Sequence, residues 1–524
     1  MSTLRRHHQW ALPLVIVVGA GLLILGGCPW LLGTTGGDPN TPTPDPNAAA
    51  PIDPNSLFTP PQKSVAQQCA QCHAALTARY TSGVHKALGD QCLVCHENGM
   101  AHMVAPMETP ARIHFAVASC AACHADQADT YLHDDAGKPG RHGGSISTSK
   151  YLEWPHYQYL LGGHGFTIQY NEERAHAYML EDHIETLRRQ TTTCLQCKST
   201  PVAYYWNERR RGATQFDKSM AWATAIDRIR SDWPETIDYG AGCNHCHDPH
   251  DGKFRLIRKG VVAAILERGT DPYSARRNTV PADEAELSAL MNARGTDGKL
   301  TDEARRLAGI LTCAQCHIEY VCGPGADRAT TGEIRDDVPW RKLADLEAYY
   351  QAKFNLQQDW KHSITGRTGI KPQHPETEEY WGSVHYRLDM SCADCHMAKG
   401  QSSRGAFTSH WMTSPLKNNT TMCGKCHEDV QAELFAVQDA FYAEARNVEN
   451  LLATLLQKIE SANTNGQVPA ADLDKAKALF MSALTWWEWT AVSENSMGAH
   501  YADQARWQIQ YAKDKASEAL QLLP

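Results

Sequence analysis

Towards the C-terminus, apolar residues recur at helical spacing. Leu434, Val437, Phe441, Ala445, Val448, Leu452, Leu455 and Ile459 fall at three- and four-residue steps, which places them on one continuous helical face. The spacing predicts an amphipathic helix of about nine turns. Asn463 to Pro469 breaks it, and a second helix is expected from about Ala471, carrying Trp486, Trp487 and Trp489. The other end is patterned differently. Arg5 and Arg6 precede an apolar run from Ala11 to Leu25, shorter than the roughly 20 residues a membrane-crossing helix needs. Between Gly36 and Pro61 stand eight prolines, Pro39, Pro42, Pro44, Pro46, Pro51, Pro54, Pro60 and Pro61. This stretch is expected to be an extended, disordered tether.

The basic start, short apolar run and small residues before Cys28 read as an export signal. Leu25-Gly26-Gly27-Cys28 resembles a bacterial lipoprotein cleavage box, which makes Cys28 the candidate lipidated residue. An ordinary signal peptide or an uncleaved anchor are the other readings, and all three put the protein outside the cytoplasm. The expected location is the periplasm or the outer face of a bacterial membrane, with membrane contact only through the N-terminal lipid. With 524 residues and 42% hydrophobic content, the chain can form two or three domains. A net charge of -9 speaks against a nucleic-acid partner. The 18 cysteines and 25 histidines are the unusual counts, and their spacing decides what they do.

Sixteen of the cysteines form eight pairs three residues apart. Cys69/Cys72 precede His73, Cys92/Cys95 precede His96, and Cys120/Cys123 precede His124. Cys194/Cys197 precede Lys198, Cys243/Cys246 precede His247, and Cys313/Cys316 precede His317. Cys392/Cys395 precede His396, and Cys423/Cys426 precede His427. Two thiols at this spacing reach both vinyl groups of one haem, and the next residue falls beneath the iron. Composition alone gives roughly 0.03 such histidine motifs, against seven present. Zinc ribbons and disulfides do not explain a histidine directly after seven of the pairs. Eight covalent c-type haems therefore follow, at about 45 residues of chain per haem.

Such density leaves room for helices and loops but hardly for a sheet, with porphyrins providing much of the buried apolar surface. The expected fold is mainly α, a multihaem cytochrome c with little strand. It divides into a signal peptide (1–27), a Pro-rich linker (28–65), a three-haem N-terminal region (66–190), a five-haem catalytic region (191–427) and a helical C-terminus (428–524). Close-packed haems conduct electrons, which is the least the protein does.

A six-coordinate haem needs a second ligand. The distal histidines favoured are His85, His102, His164, His176, His385, His410 and His500. His114, His133, His142, His156, His183, His250 and His362 stand in reserve. Lys198 differs from the other seven motif ligands, because an amine binds iron only when deprotonated. A changed ligand at one haem of eight marks a place where iron meets substrate.

Cys-x-x-Cys-Lys, at Cys194 to Lys198, resembles the hallmark of the pentahaem cytochrome c nitrite reductases and their octahaem relatives. His317-x-Glu319-Tyr320 resembles that family's His-x-Glu-Tyr, and Lys371-Pro372-Gln373-His374-Pro375 its Lys-x-Gln-His-Pro. Arg174-x-His176 with Thr186-Leu187-Arg188 is similar to the stretch supplying the active-site arginine, and Glu488-Trp489 to His500 resembles the helical C-terminus. The three motifs ahead of the lysine site, and Cys322 two residues after Tyr320, resemble the octahaem branch. The segment between Arg188 and Lys198 is shorter than in those enzymes.

The resemblance implies a periplasmic, ammonia-forming nitrite reductase taking six electrons per nitrite, also active on hydroxylamine and with some sulfite activity. It implies Lys198, Arg188, Tyr320, His374 and Gln373 as the catalytic set. Calcium is implied at Glu319, Tyr320, Lys371 and Gln373, and a thioether crosslink between Tyr320 and Cys322. The implied partners are nitrite and other small nitrogen or sulfur oxyanions, an electron-donor protein or quinol-linked cytochrome, and further copies in a trimer or hexamer. A pure electron-transfer cytochrome, or an octahaem reductase of another substrate such as tetrathionate, are the alternatives. The first requires eight low-spin haems.

Overall fold

The computed structural model describes residues 64–523, apart from 89–91, 97, 110, 134–148, 172, 189, 209–215, 322–335, 355–359 and 419–421. Cys28, His142 and Cys322 therefore lie outside the described residues. The chain is mainly helical, as expected. Its described strands are two short antiparallel pairs, β1 (Trp360–Lys361) with β2 (Thr368–Gly369) and β3 (Lys399–Ser402) with β4 (Gly405–Thr408). Among the described residues no helix is long and apolar enough to cross a membrane.

Helix α1 (Val65–Ser82) starts at a capping box in which Ser64 and Gln67 each accept the other's backbone N–H at 3.2 and 3.0 Å. His73 breaks its regular geometry in the middle, and no residue of the helix is buried. Further on come α2 (Met179–Glu185), α3 (Lys259–Arg268) and α4 (Asp302–Ala314). Helices α3 and α4 bury Val261, Ile265, Leu307 and Leu311 against Trp340 and Trp381.

The C-terminus forms three long helices, α5 (Val430–Asn465), α6 (Ala470–Glu488) and α7 (Ala502–Gln521). Helix α5 is longer than its apolar spacing predicts, because Asp429 caps it early by accepting the Ala432 N–H at 3.0 Å. Gly466, left-handed at φ 64°, ends it. Phe441, Val448, Leu452, Leu455 and Ile459 are buried along its inner face. Trp487 is fully buried, donates its indole N–H to Ala445 O at 2.9 Å and meets Trp154 edge-on. The bundle thereby grips residues 150–161 of the region before the lysine motif.

Candidate functional site

The Cys-x-x-Cys motifs lie in helical turns, some of a single turn and others within α1 or at the end of α4, where the first cysteine and the residue four places later come close together. Each of the seven motif histidines there faces another histidine ring. Centroids are 5.9 Å apart for His73 and His102, 6.2 Å for His124 and His85, and 6.3 Å for His96 and His250. They are 5.9 Å apart for His317 and His176 and 6.4 Å for His247 and His410. His427 with His385 and His396 with His500 are both at 6.1 Å. Two imidazoles bonded to one metal from opposite sides at about 2 Å each put their centroids roughly 6 Å apart. All seven pairs thus fit an iron between them.

Hydrogen bonding to the outer nitrogens agrees. Nδ1 of His85, His96, His102, His396 and His410 lies 2.7–3.0 Å from a backbone carbonyl oxygen. Nδ1 of His250 and His427 lies 3.0 and 2.6 Å from the carboxylates of Asp248 and Glu433, and His500 meets Glu494 in the same way. An Nδ1–H donated to oxygen leaves the Nε2 lone pair for a metal.

Of the histidines expected as distal ligands, His85, His102, His176, His385, His410 and His500 each face a motif histidine. His164 does not. Its ring stacks on Phe166 at 5.0 Å and meets Trp360 at 5.4 Å. Its Nδ1 accepts the Phe166 N–H at 3.1 Å, which is the opposite tautomer, and burial pushes its pKa down to about 3. The remaining motif histidine, His96, faces His250, one of the reserves. His250 lies three residues after His247 but faces His96, so nothing in its local sequence points to its partner. His362 accepts N–H groups from Ile364 and Thr365 on its Nδ1 and is structural.

The attachment cysteines differ in how far protein covers them. Cys72, Cys95, Cys123 and Cys426 are exposed, while the remaining motif thiols are half-buried. Cys426 is the exposed one among the motif cysteines of residues 191–427. Its motif stands where the chain turns into α5, and α5 buries no side chain before Phe441. No packed helix face therefore covers the Cys426 thiol, and the eighth attachment site is peripheral, like the first three.

The lysine motif is embedded in protein. Leu195, Gln196, Ser199, Thr200 and Val202 are fully buried around it, and Pro201 opens the next helical turn. Lys198 Nζ is paired with the Glu173 carboxylate. Against the effect of burial, the nearby lysine ammonium holds Glu173 down at about 2. Beside the motif lies the fully buried Arg258, which belongs to no sequence motif. It donates to Asp336 at 2.5 and 2.8 Å, to Gln315 O at 2.8 Å and to Cys197 Sγ at 3.6 Å. Its guanidinium covers the Tyr320 ring at 4.4 Å.

Arg188 is buried, with its guanidinium 4.1 Å over Phe166 and 5.5 Å over Tyr170, and its Nη2 3.5 Å from His183 Nδ1. Lys371 Nζ lies over the same two rings at 5.1 and 5.4 Å, so Arg188 and the Lys371–His374 segment converge on one aromatic pair. His374 stands edge-on to His317, 6.2 Å between centroids. Glu319 accepts the Gln373 N–H at 2.8 Å and the Tyr350 hydroxyl at 2.9 Å, while Gln373 Nε2 donates to Lys371 O at 2.8 Å. Burial raises Glu319 to about 8. This cluster of one carboxylate with amide and carbonyl oxygens is the donor set of a hard cation such as calcium. Among the described residues no three histidine, cysteine or acidic side chains gather to hold a metal ion. Paired histidines are what a porphyrin needs, since it brings four nitrogens of its own.

The motifs also touch one another. The thiols of Cys120 and Cys243, of Cys197 and Cys316, and of Cys313 and Cys392 are in contact. Cys316 Sγ lies 3.9 Å from Cys197 O.

The profile of the cytochrome c552 family matches residues 119–523, from the third motif to the end of the bundle. Cytochrome c nitrite reductase subunit NrfA of Nitratidesulfovibrio vulgaris is 26% identical over 401 residues, covering 70% of this chain and 68% of that protein. Cytochrome c-552 of Desulfotalea psychrophila is 25% identical over 390 residues, with 70% and 68% covered. The fold is shared with the catalytic subunit of the cytochrome c nitrite reductase from Desulfovibrio desulfuricans, a structure with two calcium sites. That match has a TM-score of 0.62 and 21% identity, and covers 78% of this chain and 86% of that one.

Proposed function

The chain belongs to the cytochrome c552 family, and we propose that it is an exported, octahaem member that reduces nitrite to ammonium at the haem of Cys194 and Cys197, with Lys198 as its ligand. One observation carries this reading. Each of the seven motif histidines faces another histidine ring, whereas Lys198 is paired with the Glu173 carboxylate in a motif wrapped by the buried Leu195, Gln196, Ser199 and Thr200. Both curated relatives and the neighbouring structure support haem chemistry of this kind, and two of them are nitrite reductases.

The haems, when bound, would relay electrons from a donor and offer iron as the redox centre for nitrite. The remaining work falls to side chains. Arg188 presents a permanent cation and forked donors to an oxyanion, stiffened by the two aromatic rings beneath it. His374 would hand protons to the bound oxyanion. Tyr320 donates a hydrogen bond from a site that Arg258 keeps positive, and its thioether to Cys322 belongs to the same proposal. Glu319, Gln373 and the carbonyls of Tyr320 and Lys371 would hold calcium, which would tie together the two segments bearing Tyr320 and His374. The contact between the Cys197 and Cys316 thiols would bring the haems held by these two motifs close together. A lipid on Cys28, a trimer or hexamer and a periplasmic donor complete the proposal.

The test is a steady-state assay with a viologen donor, comparing nitrite, hydroxylamine, sulfite and tetrathionate. Nitrite is expected to give the highest kcat/KM, and hydroxylamine the next. Tetrathionate ahead of nitrite would contradict the reading.

A further inference from the structure

Glu376 lies two residues after His374 and belongs to none of the motifs discussed so far. Its Oε1 is 3.3 Å from Nδ1 of His317 and 3.7 Å from Nδ1 of His374. Its side chain is 16% exposed, and its other oxygen, Oε2, is buried with no hydrogen-bond partner. One carboxylate oxygen therefore faces the outer nitrogens of two imidazoles with different tasks. His317 is the motif histidine opposite His176, in the site whose thiol touches the lysine motif. His374 is the proton-handling group of the nitrite site. The two rings stand edge to face at 6.2 Å, so they meet at the carboxylate rather than stacking on each other.

We propose that Glu376 is a shared positioning residue, holding His374 for proton handling and His317 for electron delivery through the same carboxylate oxygen. The proposal rests on the nitrite-site reading for the role of His374. For His317 it rests only on the pairing geometry. A carboxylate that accepts the Nδ1–H of a metal-bound imidazole raises the ligand's basicity and favours the oxidised metal. At 3.7 Å from His374 Nδ1 the same oxygen attracts that edge of the ring electrostatically, which turns Nε2 the other way. Ring orientation is set at once in both residues. Pro375 stands between His374 and Glu376 in the chain, with its φ fixed by the ring, which restricts how far Glu376 can swing from His374.

The test uses the full-length holoprotein and two variants, Glu376→Gln and Glu376→Asp. Haem content is read by intact mass, and midpoint potentials by EPR-monitored redox titration. In Glu376→Gln, one low-spin haem is expected to titrate at a higher potential while the others keep theirs. Nitrite turnover should fall about tenfold or more with KM within about twofold, because orientation rather than anion binding is lost. Glu376→Asp should recover part of both. Wild-type potentials in Glu376→Gln would overturn the proposal, even with turnover lost, since a merely structural role moves activity without moving one haem. If Glu376→Gln does not load its haems, Glu376→Asp decides alone, and wild-type potentials there are the overturning result. A displaced potential in a protein that does not reduce nitrite would sink the nitrite reading and keep the tie to His317.

Discussion

The first three motifs and the lysine motif are built on opposite plans. In the N-terminal region Cys72, Cys95 and Cys123 are exposed, α1 buries none of its residues, and Leu76, Val84, Met100, Val104 and Met107 are exposed too. What orders this part is its histidine pairs and a few polar ties, such as Arg79 to Asp248 and Asp251. The exposed apolar side chains between Leu76 and Met107 would suit the flat faces of porphyrins, whereas Phe115, Val117 and Ala128 around the third motif are buried in protein. Around Lys198, by contrast, Leu195, Val202, Tyr205, Trp206, Phe216 and Ile229 form a fully packed protein core. Conduction asks only that haems lie close together. Catalysis needs polar groups held at fixed distances and angles, which demands side chains locked by packing. On the proposed function the two plans would serve these two tasks.

The largest effects should come from the polar groups of the packed region. His374→Ala and Arg188→Ala should each cost nitrite turnover about a hundredfold, near 3 kcal/mol in the transition state. Eight haems by mass and unchanged low-spin spectra should accompany the loss. Arg188→Ala should also raise the Michaelis constant more, because the anion loses its fixed cation. Near-normal turnover in both variants would remove the distinction between the regions.

The packing itself can be tested next. Leu195→Ala removes a fully buried side chain and should destabilise the protein by about 3 kcal/mol. Leu76→Ala, 39% exposed, should lower the circular-dichroism unfolding midpoint by under a third of the Leu195→Ala shift. Equal shifts would mean the N-terminal region has a protein core after all.

The cation site gives a smaller effect with a definite sign. Glu319, raised to about 8 by burial, must lose its proton to bind calcium. Affinity should therefore climb about tenfold per pH unit from pH 6 to 8 and level off above. Calorimetric titration showing a flat profile from pH 6 to 9 would exclude Glu319 as a ligand. Arg79→Ala should have the least effect, within about 1 kcal/mol, because its side chain is 41% exposed where it meets Asp248. A larger loss would show that this ion pair, rather than the haems, organises the N-terminal region.

Local pattern carried much of this in advance. The cysteine pairs and the apolar stripe of α5 are contiguous in sequence, so their chemistry and their secondary structure could be read directly. Pairing and cover could not. His250 answers His96 from beyond the lysine motif, and His164, which sits in an equally plausible glycine-flanked turn, is claimed by Phe166 and Trp360. Cys426 and Cys197 occupy equivalent motif positions, yet only the fold around each decides which thiol is covered. Arg258 reaches Tyr320 and Cys197 only because α3 is packed against α4, and a lone arginine carries no motif. Glu173 and Glu376 escaped for the same reason, since a carboxylate's partner is set by the fold.

The central claim is that one haem of eight is built for substrate and seven for conduction. Low-temperature EPR of the oxidised holoprotein tests it most directly, with each ferric signal integrated before and after nitrite is added. One high-spin haem in eight that converts on adding nitrite, beside seven low-spin haems that do not change, is the predicted result. Eight low-spin haems indifferent to nitrite would contradict it and leave a conductor without a catalytic site.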